Sequence, residues 1–316
     1  MTKNTAIPAP WLPLPPGALI GVLAPAGPVD AAVLPAVEAF YARHGWRVRL
    51  YPSCRARHAT LDYLAGNDAE RLADLHAALA DDEVAAIHCL RGGYGTMRLL
   101  PAIDTALLRA KPKLLIGYSD ITALHALWAQ EGLPSLHAPM PASDLIKPGR
   151  DDDEAALVAL LQTGLPAGTV LAPELEPGEP VLPGVAEGRL IGGNLSLVAA
   201  LVGTPWAWDA HGALLFLEDV SESLYRADRY LTQLRLAGVL GAVRGFLIGS
   251  FHETQNPRPL IEELLLPLAR EHGKPLLAGW PSGHGTPNRP LPMGLRVRLD
   301  AGAGTLTLLE PLEPPV

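Results

Sequence analysis

The chain has 316 residues, 48% of them hydrophobic and 18% charged, which allows one large domain or two medium ones. Its formal net charge of −8 argues against a nucleic-acid partner, because phosphate binding needs a basic face. The two cysteines, Cys54 and Cys89, cannot build a disulfide framework or a cysteine-based zinc site. Since no stretch has the apolar length of a signal peptide or a membrane span, we expect a cytoplasmic protein with no membrane partner.

The first half of the chain alternates between strand and helix patterns. Short apolar runs predict strands over 18–23, 46–51, 84–90 and 114–116. Helical spacing of apolar residues predicts helices over 31–44, 69–80 and from 119 to about 130. This alternation indicates βαβ units and a mostly parallel sheet, and sites gather at the carboxyl ends of such strands.

Composition changes between residues 141 and 188, where a short helical pattern over 152–161 is followed by a series of prolines. Such a stretch is typical of an inter-domain connection. We therefore divide the chain into three parts. These are an N-terminal domain over 1–150, a proline-rich linker over 151–185 and a C-terminal domain over 186–316.

A second α/β pattern begins near Arg189, and a helix is predicted from the Gly192–Ser196 region to Leu201. Strands are predicted over 213–217, 243–248 and 275–278, helices over 224–236 and 260–270, and a terminal hairpin over 295–299 and 305–309.

Ser119 lies where the strand over 114–116 gives way to a helix. A sharp strand-to-helix turn lifts a serine hydroxyl out of the sheet, towards free backbone N–H groups that can stabilise an oxyanion. Ser119 or Asp120 also fits a second role, as a residue that only caps the helix. Ser119 is therefore a candidate nucleophile.

Glu218 and His284 also follow predicted strands. A serine hydroxyl needs a base, usually histidine, and a carboxylate holds that histidine in the correct tautomer. Each residue also fits a structural role, Glu218 in a salt bridge and His284 as a buried histidine. His137 and His252 follow strands as well and compete with His284 for the role of base.

The segment Arg91-Gly92-Gly93-Tyr94-Gly95 is rich in glycine but has neither the Gly-Lys-Ser/Thr ending of a phosphate loop nor the spacing of a dinucleotide fingerprint. Glycines allow backbone N–H groups to approach a ligand closely, so this segment fits either an oxyanion-hole donor or a plain turn. Metal-binding motifs are absent, and the acidic run over 151–154 favours a helix N-terminus over a metal site. We expect no metal and no cofactor.

Together these motifs resemble the LD-carboxypeptidase family of serine peptidases, which also includes the microcin C7 self-immunity proteins. The resemblance runs from about residue 20 to about residue 298. It is carried by GVLAPAGP at 21–28, YLAG at 63–66, RGGYGTMRLL at 91–100, GYSD at 117–120, GGNL at 192–195, LED at 217–219, YRADR at 225–229 and GHG at 283–285.

The resemblance implies an α/β fold, with an N-terminal flavodoxin-like parallel-sheet domain and a smaller C-terminal α/β domain that has its own parallel sheet. The active site would lie in the cleft between them. A catalytic triad is implied, in which Ser119 is the nucleophile, His284 is the general base and acid, and Glu218 orients His284.

An oxyanion hole is implied as well. Its donors would be the backbone N–H of Asp120 and that of Gly92 or Gly93. The implied reaction is hydrolysis of the amide between meso-diaminopimelate and the terminal D-alanine of murein tetrapeptides, during cell-wall recycling in the cytoplasm and often by a homodimer. The substrate's terminal carboxylate has three candidate partners, Arg91, Arg226 and Arg229.

Three alternatives remain open at this point. One is an immunity-type hydrolase that acts on peptide-nucleotides. The second is an α/β-hydrolase esterase, which is disfavoured because Ile121 stands where Gly-x-Ser-x-Gly needs its second glycine. The third is a module that binds a peptide without turning it over.

Overall fold

The computed structural model describes residues 12–174, 181–252 and 258–313. Within these ranges, the strands are β1 (Leu19–Leu23), β2 (Arg47–Leu50), β3 (Val84–Cys89), β4 (Leu114–Gly117), β5 (Ser135–His137), β6 (Val170–Leu171), β7 (Val181–Leu182), β8 (Val185–Asn194), β9 (Leu214–Val220), β10 (Gly245–His252), β11 (Leu276–Leu277), β12 (Leu291–Met293), β13 (Arg296–Asp300) and β14 (Thr305–Leu308).

The α-helices of the same ranges are α1 (Leu34–Arg43), α2 (Asp68–Ala80), α3 (Thr105–Ala110), α4 (Thr122–Gln130), α5 (Asp151–Thr163), α6 (Leu195–Leu201), α7 (Leu224–Leu236), α8 (Val239–Ala242), α9 (Arg258–Leu260) and α10 (Leu266–Glu271). A π-helical turn over Ile261–Leu265 joins α9 to α10, and a second one spans Pro141–Leu145. None of the helices described here is long and apolar enough to cross a membrane.

The first sheet has the strand order β2-β1-β3-β4-β5, and all of these strands are parallel. This is the order of a flavodoxin-like sheet, so the predicted N-terminal fold is confirmed. Every residue of β1 and of β4 is buried, as expected for parallel strands that are covered by helices on both faces. The sixth strand, β12, comes from the far end of the chain and pairs antiparallel with β5.

The second sheet is mixed. Its centre consists of the parallel strands β8, β9, β10 and β11, and antiparallel strands extend it on both sides. The predicted terminal hairpin is present as β13 and β14. The parallel sheet that the family resemblance implies therefore forms only the middle of this larger sheet.

One apolar core cluster spans the two sheets and includes Ile116 and Leu136 from the first sheet and Phe216 from the second. A separate cluster, which includes Leu215 and Phe246, belongs to the second sheet. Helix α4 contacts both β8 and α6, and the backbone N–H of Asn194 donates to Thr122 Oγ1 over 3.0 Å. These contacts hold the end of β8 against the start of α4, three residues after Ser119.

Candidate active site

Ser119 lies at the carboxyl end of β4, in the tight turn that leads into α4. Its φ is +64°, a value that non-glycine residues rarely adopt and that costs about 1–3 kcal/mol. A strained turn of this kind is what exposes the serine of a nucleophile elbow. The alternative capping role is not observed, because the N-cap positions before this turn and before α4 are Tyr118 and Ile121, and neither makes a side-chain cap.

A continuous hydrogen-bonded chain joins Ser119, His284 and Glu218. The distance from Ser119 Oγ to His284 Nε2 is 3.0 Å, and the distance from His284 Nδ1 to Glu218 Oε2 is 2.7 Å. Glu218 lies near the end of β9 and is fully buried, whereas the His284 side chain is 15% exposed. A hydroxyl, an imidazole and a carboxylate in this order can generate an alkoxide nucleophile at neutral pH.

The loop that carries His284 fits closely against Glu218. Gly283 has a φ of +118°, and a Cβ at this position would lie 2.5 Å from Glu218 Oε2. The backbone N–H of Gly283 donates to Asn288 Oδ1 over 3.0 Å, and that of Gly285 donates to Ser250 Oγ over 2.9 Å. The glycine therefore permits the approach, and the two side chains hold the loop in place.

Charge coupling between His284 and Glu218 changes both pKa values. Burial alone would raise the pKa of Glu218, but the charge of His284, the hydrogen bond from His284 and the nearby His137 lower it to about 2. Burial alone would lower the pKa of His284, but the adjacent Glu218 carboxylate raises it above its ordinary value. Glu218 is therefore ionised at neutral pH, and the imidazolium that forms when His284 accepts a proton is stabilised.

A cavity of about 300 Å³ opens in front of Ser119 and His284. The predicted oxyanion-hole glycines, Gly92 and Gly93, line it. Gly92 lies so close to the nucleophile that a Cβ there would be 2.8 Å from Ser119 Cβ. These positions are compatible with N–H groups that act on a substrate at Ser119, and the oxyanion-hole roles stay a prediction.

The side chain of Asp120, the third predicted oxyanion-hole residue, ties two loops together. Its Oδ2 accepts from the backbone N–H of Thr96 over 2.8 Å, and its carbonyl oxygen accepts from Thr96 Oγ1 over 2.5 Å. Burial raises the pKa of Asp120 to about 6, although these hydrogen bonds act to lower it. The turn of Ser119 is thereby fastened to the loop that holds Gly92 and Gly93.

Three cationic side chains line the cavity, and the sequence pointed to only one of them, Arg91. Lys147 and Arg150 lie between the π-helical turn over Pro141–Leu145 and α5, in a segment for which no element was predicted. Arg226 and Arg229 lie exposed on α7, where Arg226 is 3.8 Å from Glu222 and Arg229 lies over the ring of Tyr225. The available signal for Lys147 and Arg150 was that both follow the strand expected just before His137.

The two competing histidines have different environments. His252 is the last residue of β10 and lines the cavity. His137 is the last residue of β5, is completely buried and faces the far side of Glu218, with 3.9 Å between Nε2 and Oε1. Of the three candidate histidines, His284 is the one whose imidazole is hydrogen-bonded to Ser119.

Comparison with known proteins places the chain in a family. Residues 20–138 match the LD-carboxypeptidase N-terminal domain, and residues 187–299 match the LD-carboxypeptidase C-terminal domain. The chain belongs to the LD-carboxypeptidase family. Ser119 lies within the first matched region, whereas Glu218 and His284 lie within the second. The hydrogen-bonded chain therefore joins the two family domains.

Relatives in the LD-carboxypeptidase family cover almost the whole chain. A probable murein peptide carboxypeptidase of Bacillus subtilis is 38% identical over 301 residues, which is 92% of each chain. The murein tetrapeptide carboxypeptidase of Pseudomonas aeruginosa is 35% identical over 307 residues, covering 93% of this chain and 96% of the relative. The solved microcin C7 self-immunity protein MccF is 24% identical, with a TM-score of 0.81 over 94% of this chain and 97% of its own. This likeness supports the two-domain fold.

Proposed function

We propose that this protein is a serine LD-carboxypeptidase that hydrolyses the amide between meso-diaminopimelate and the terminal D-alanine of murein tetrapeptides. The hydrogen-bonded chain from Ser119 through His284 to Glu218 carries the proposal of a serine hydrolase. The choice of substrate is supported by the relatives whose names specify murein peptides.

In the proposed mechanism, Ser119 Oγ attacks the carbonyl carbon of diaminopimelate while His284 Nε2 accepts the proton of the Ser119 hydroxyl. Glu218 stabilises the resulting imidazolium and keeps the ring in the orientation it needs. The backbone N–H of Asp120 and one of the Gly92–Gly93 pair hold the oxyanion, and loss of one such donor typically costs about 10²–10³ in kcat. His284 then protonates the leaving D-alanine, and water hydrolyses the acyl-enzyme by the same route.

The small cavity suits a short leaving group with a free carboxylate. Arg91 and Lys147 line it and supply positive charge in a chain whose net charge is −8. Arg150 lines it too, but this guanidinium is paired with Asp144 over 3.2 Å and with Asp153 over 2.7 Å. We assign the terminal carboxylate of the substrate to Arg91 and Lys147. Cytoplasmic location, expected from the sequence and from the family resemblance, and a homodimer, expected from the resemblance alone, stay predictions.

The experiment compares the murein tetrapeptide with its all-L analogue and detects released alanine by mass spectrometry. The wild-type protein should release D-alanine from the first peptide and no alanine from the second. Ser119→Ala should release none, whereas Thr163→Ala, which removes an exposed hydroxyl near the end of α5, should match the wild type. Alanine release from the all-L peptide at a comparable rate would overturn the proposed specificity.

The esterase alternative lacks the second glycine of its motif, and the peptide-nucleotide alternative has only a likeness of fold in its favour. A module that binds without turnover has no need of the strain at Ser119 or of a buried, ionised Glu218 beside His284. Labelling of Ser119 by a serine-directed reagent distinguishes this last alternative from a hydrolase.

A further inference from the structure

Two buried polar groups face each other behind the catalytic chain, and neither has a hydrogen-bond partner in the described residues. One is Glu218 Oε1, the carboxylate oxygen that His284 does not use. The other is the imidazole of His137, both of whose ring nitrogens lack a partner. The distance between His137 Nε2 and Glu218 Oε1 is 3.9 Å, and both side chains are completely buried.

The fold fixes His137 at this position. It ends β5, where its Cα is paired with Gly117 of β4, two residues before Ser119. Its ring packs against that of Tyr118, with centroids 5.6 Å apart, and edge-on against Phe216, with centroids 5.0 Å apart. Packing on these neighbours keeps the ring beside Glu218 even without a hydrogen bond.

Leaving these groups unpaired is costly. A buried carboxylate oxygen without a donor costs several times what an ordinary hydrogen bond contributes, because it has lost its water. The neighbouring His125 cannot supply the donor, since its own nitrogens lie 2.7 Å from Ser135 Oγ and 2.9 Å from the carbonyl oxygen of Gly117. His137 is the nearby side chain whose N–H is still available.

We propose that His137 is a positioning residue, which donates its Nε2–H to Glu218 Oε1 and so holds the carboxylate from the side opposite His284. The inference rests on the proposed function, since it assumes that Glu218 orients His284. Hydrogen bonds of catalytic groups are often long before substrate binds. If His137 Nε2 and Glu218 Oε1 approach each other by about 1 Å, they reach the usual N–H···O distance. With both oxygens held, the carboxylate cannot rotate away from His284 Nδ1.

Two substitutions separate positioning from packing. In His137→Gln the side-chain amide keeps an N–H donor close to the position of Nε2, whereas His137→Leu removes every donor but suits the apolar contacts with Tyr118 and Phe216. Positioning predicts that His137→Leu lowers kcat by about 10- to 100-fold with KM unchanged, and that His137→Gln keeps kcat within a few-fold of wild type. Packing alone predicts the reverse order. A kcat for His137→Leu equal to or above that of His137→Gln would overturn the inference.

A double-mutant cycle separates this inference from the triad itself. If His137 acts through Glu218, then adding His137→Leu to Glu218→Ala should lower the residual kcat no further. Full activity of Glu218→Ala alone would contradict the proposed triad, whereas loss of activity in Glu218→Ala together with full activity in His137→Leu would contradict only the role of His137.

One measurement needs no substitution. In the wild-type protein with ¹⁵N-labelled histidine, covalently inhibited at Ser119 by a phosphonate, NMR identifies which ring nitrogen of His137 carries the proton. The inference predicts the Nε2–H tautomer, with a proton protected from exchange with water. The Nδ1–H tautomer would overturn it, even if His137→Leu failed to fold.

Discussion

His284 Nε2 lies 3.0 Å from Ser119 Oγ, although the two residues are 165 positions apart in the chain. Ser119 lies two residues after β4 of the first sheet, and His284 lies in a loop that is held to the second sheet by the hydrogen bond from Gly285 to Ser250. The proposed nucleophile and base therefore meet only because the two sheets share a core. Any change that shifts one sheet against the other should lower activity before it unfolds the protein.

The strain at Ser119 should lower the free energy of unfolding by a measurable amount. Ser119→Gly removes the penalty of a positive φ, whereas Ser119→Ala keeps it and removes only the hydroxyl. Both variants should be inactive, and Ser119→Gly should have a free energy of unfolding about 1 kcal/mol above that of Ser119→Ala. Urea unfolding measures both values. Because glycine loses more conformational entropy on folding than alanine, equal stability of the two variants would show that the strain is no larger than this loss and would contradict the prediction.

The pH dependence of the reaction should reflect the coupling of His284 to Glu218. The reaction needs neutral His284, whose pKa the Glu218 carboxylate raises, so kcat/KM should increase with pH through a value above the ordinary 6.5. Replacing the carboxylate by an amide in Glu218→Gln removes the charge and should lower the pKa of His284. An NMR titration of this histidine in both proteins checks the direction, and an unchanged pKa would contradict the coupling.

Close packing at Gly283 should make this glycine indispensable. A methyl group there would lie 2.5 Å from Glu218 Oε2, so Gly283→Ala should push the loop of His284 away and lower kcat by about 100-fold or more. Gly273→Ala is the matched control, because Gly273 also has a positive φ but no atom within 4 Å of the added carbon. The control should lose some stability and keep its kcat. Equal kcat values in the two variants would contradict the steric argument.

Arg150 should support the same loop from its other side. Its Nη1 donates to the carbonyl oxygen of Gly285 over 2.9 Å, and the guanidinium neutralises the buried Asp144 and Asp153. Arg150→Met should lower the free energy of unfolding by about 3–5 kcal/mol, because it leaves buried carboxylates without a cation. Denaturant unfolding measures the loss. A loss no greater than that of Arg109→Met, which breaks an exposed pair, would contradict this role.

The sequence allowed the main features of the fold and the candidate site to be predicted because their signals are local. Buried parallel strands appear as continuous apolar runs, and Ser119, Glu218 and His284 each follow such a run or lie in a glycine-flanked turn. The family resemblance then supplied what local signals lack, namely which histidine and which carboxylate meet the serine.

What the sequence did not reveal depends on pairing over long distances. The strand expected just before His137 received no bounds, because β5 has only three residues; β12 has three with a proline at its centre, so neither shows a periodic pattern. The pairing of β5 with β4 places His137 beside Gly117, with Nε2 3.9 Å from Glu218 Oε1, and the chain after β5 leads to Lys147 and Arg150. These neighbours of the site follow from tertiary contacts that no short stretch encodes.

The most direct test of the central claim is covalent labelling of Ser119 by a fluorophosphonate, located by peptide mass spectrometry. We expect the wild-type protein to be labelled at Ser119 alone, and His284→Ala and Glu218→Ala to be labelled slower by several orders of magnitude, because the hydroxyl then lacks an oriented base. Thr163→Ala should react at the wild-type rate. Absence of label on Ser119, or an undiminished rate in His284→Ala, would contradict the claim that these three residues form one catalytic unit.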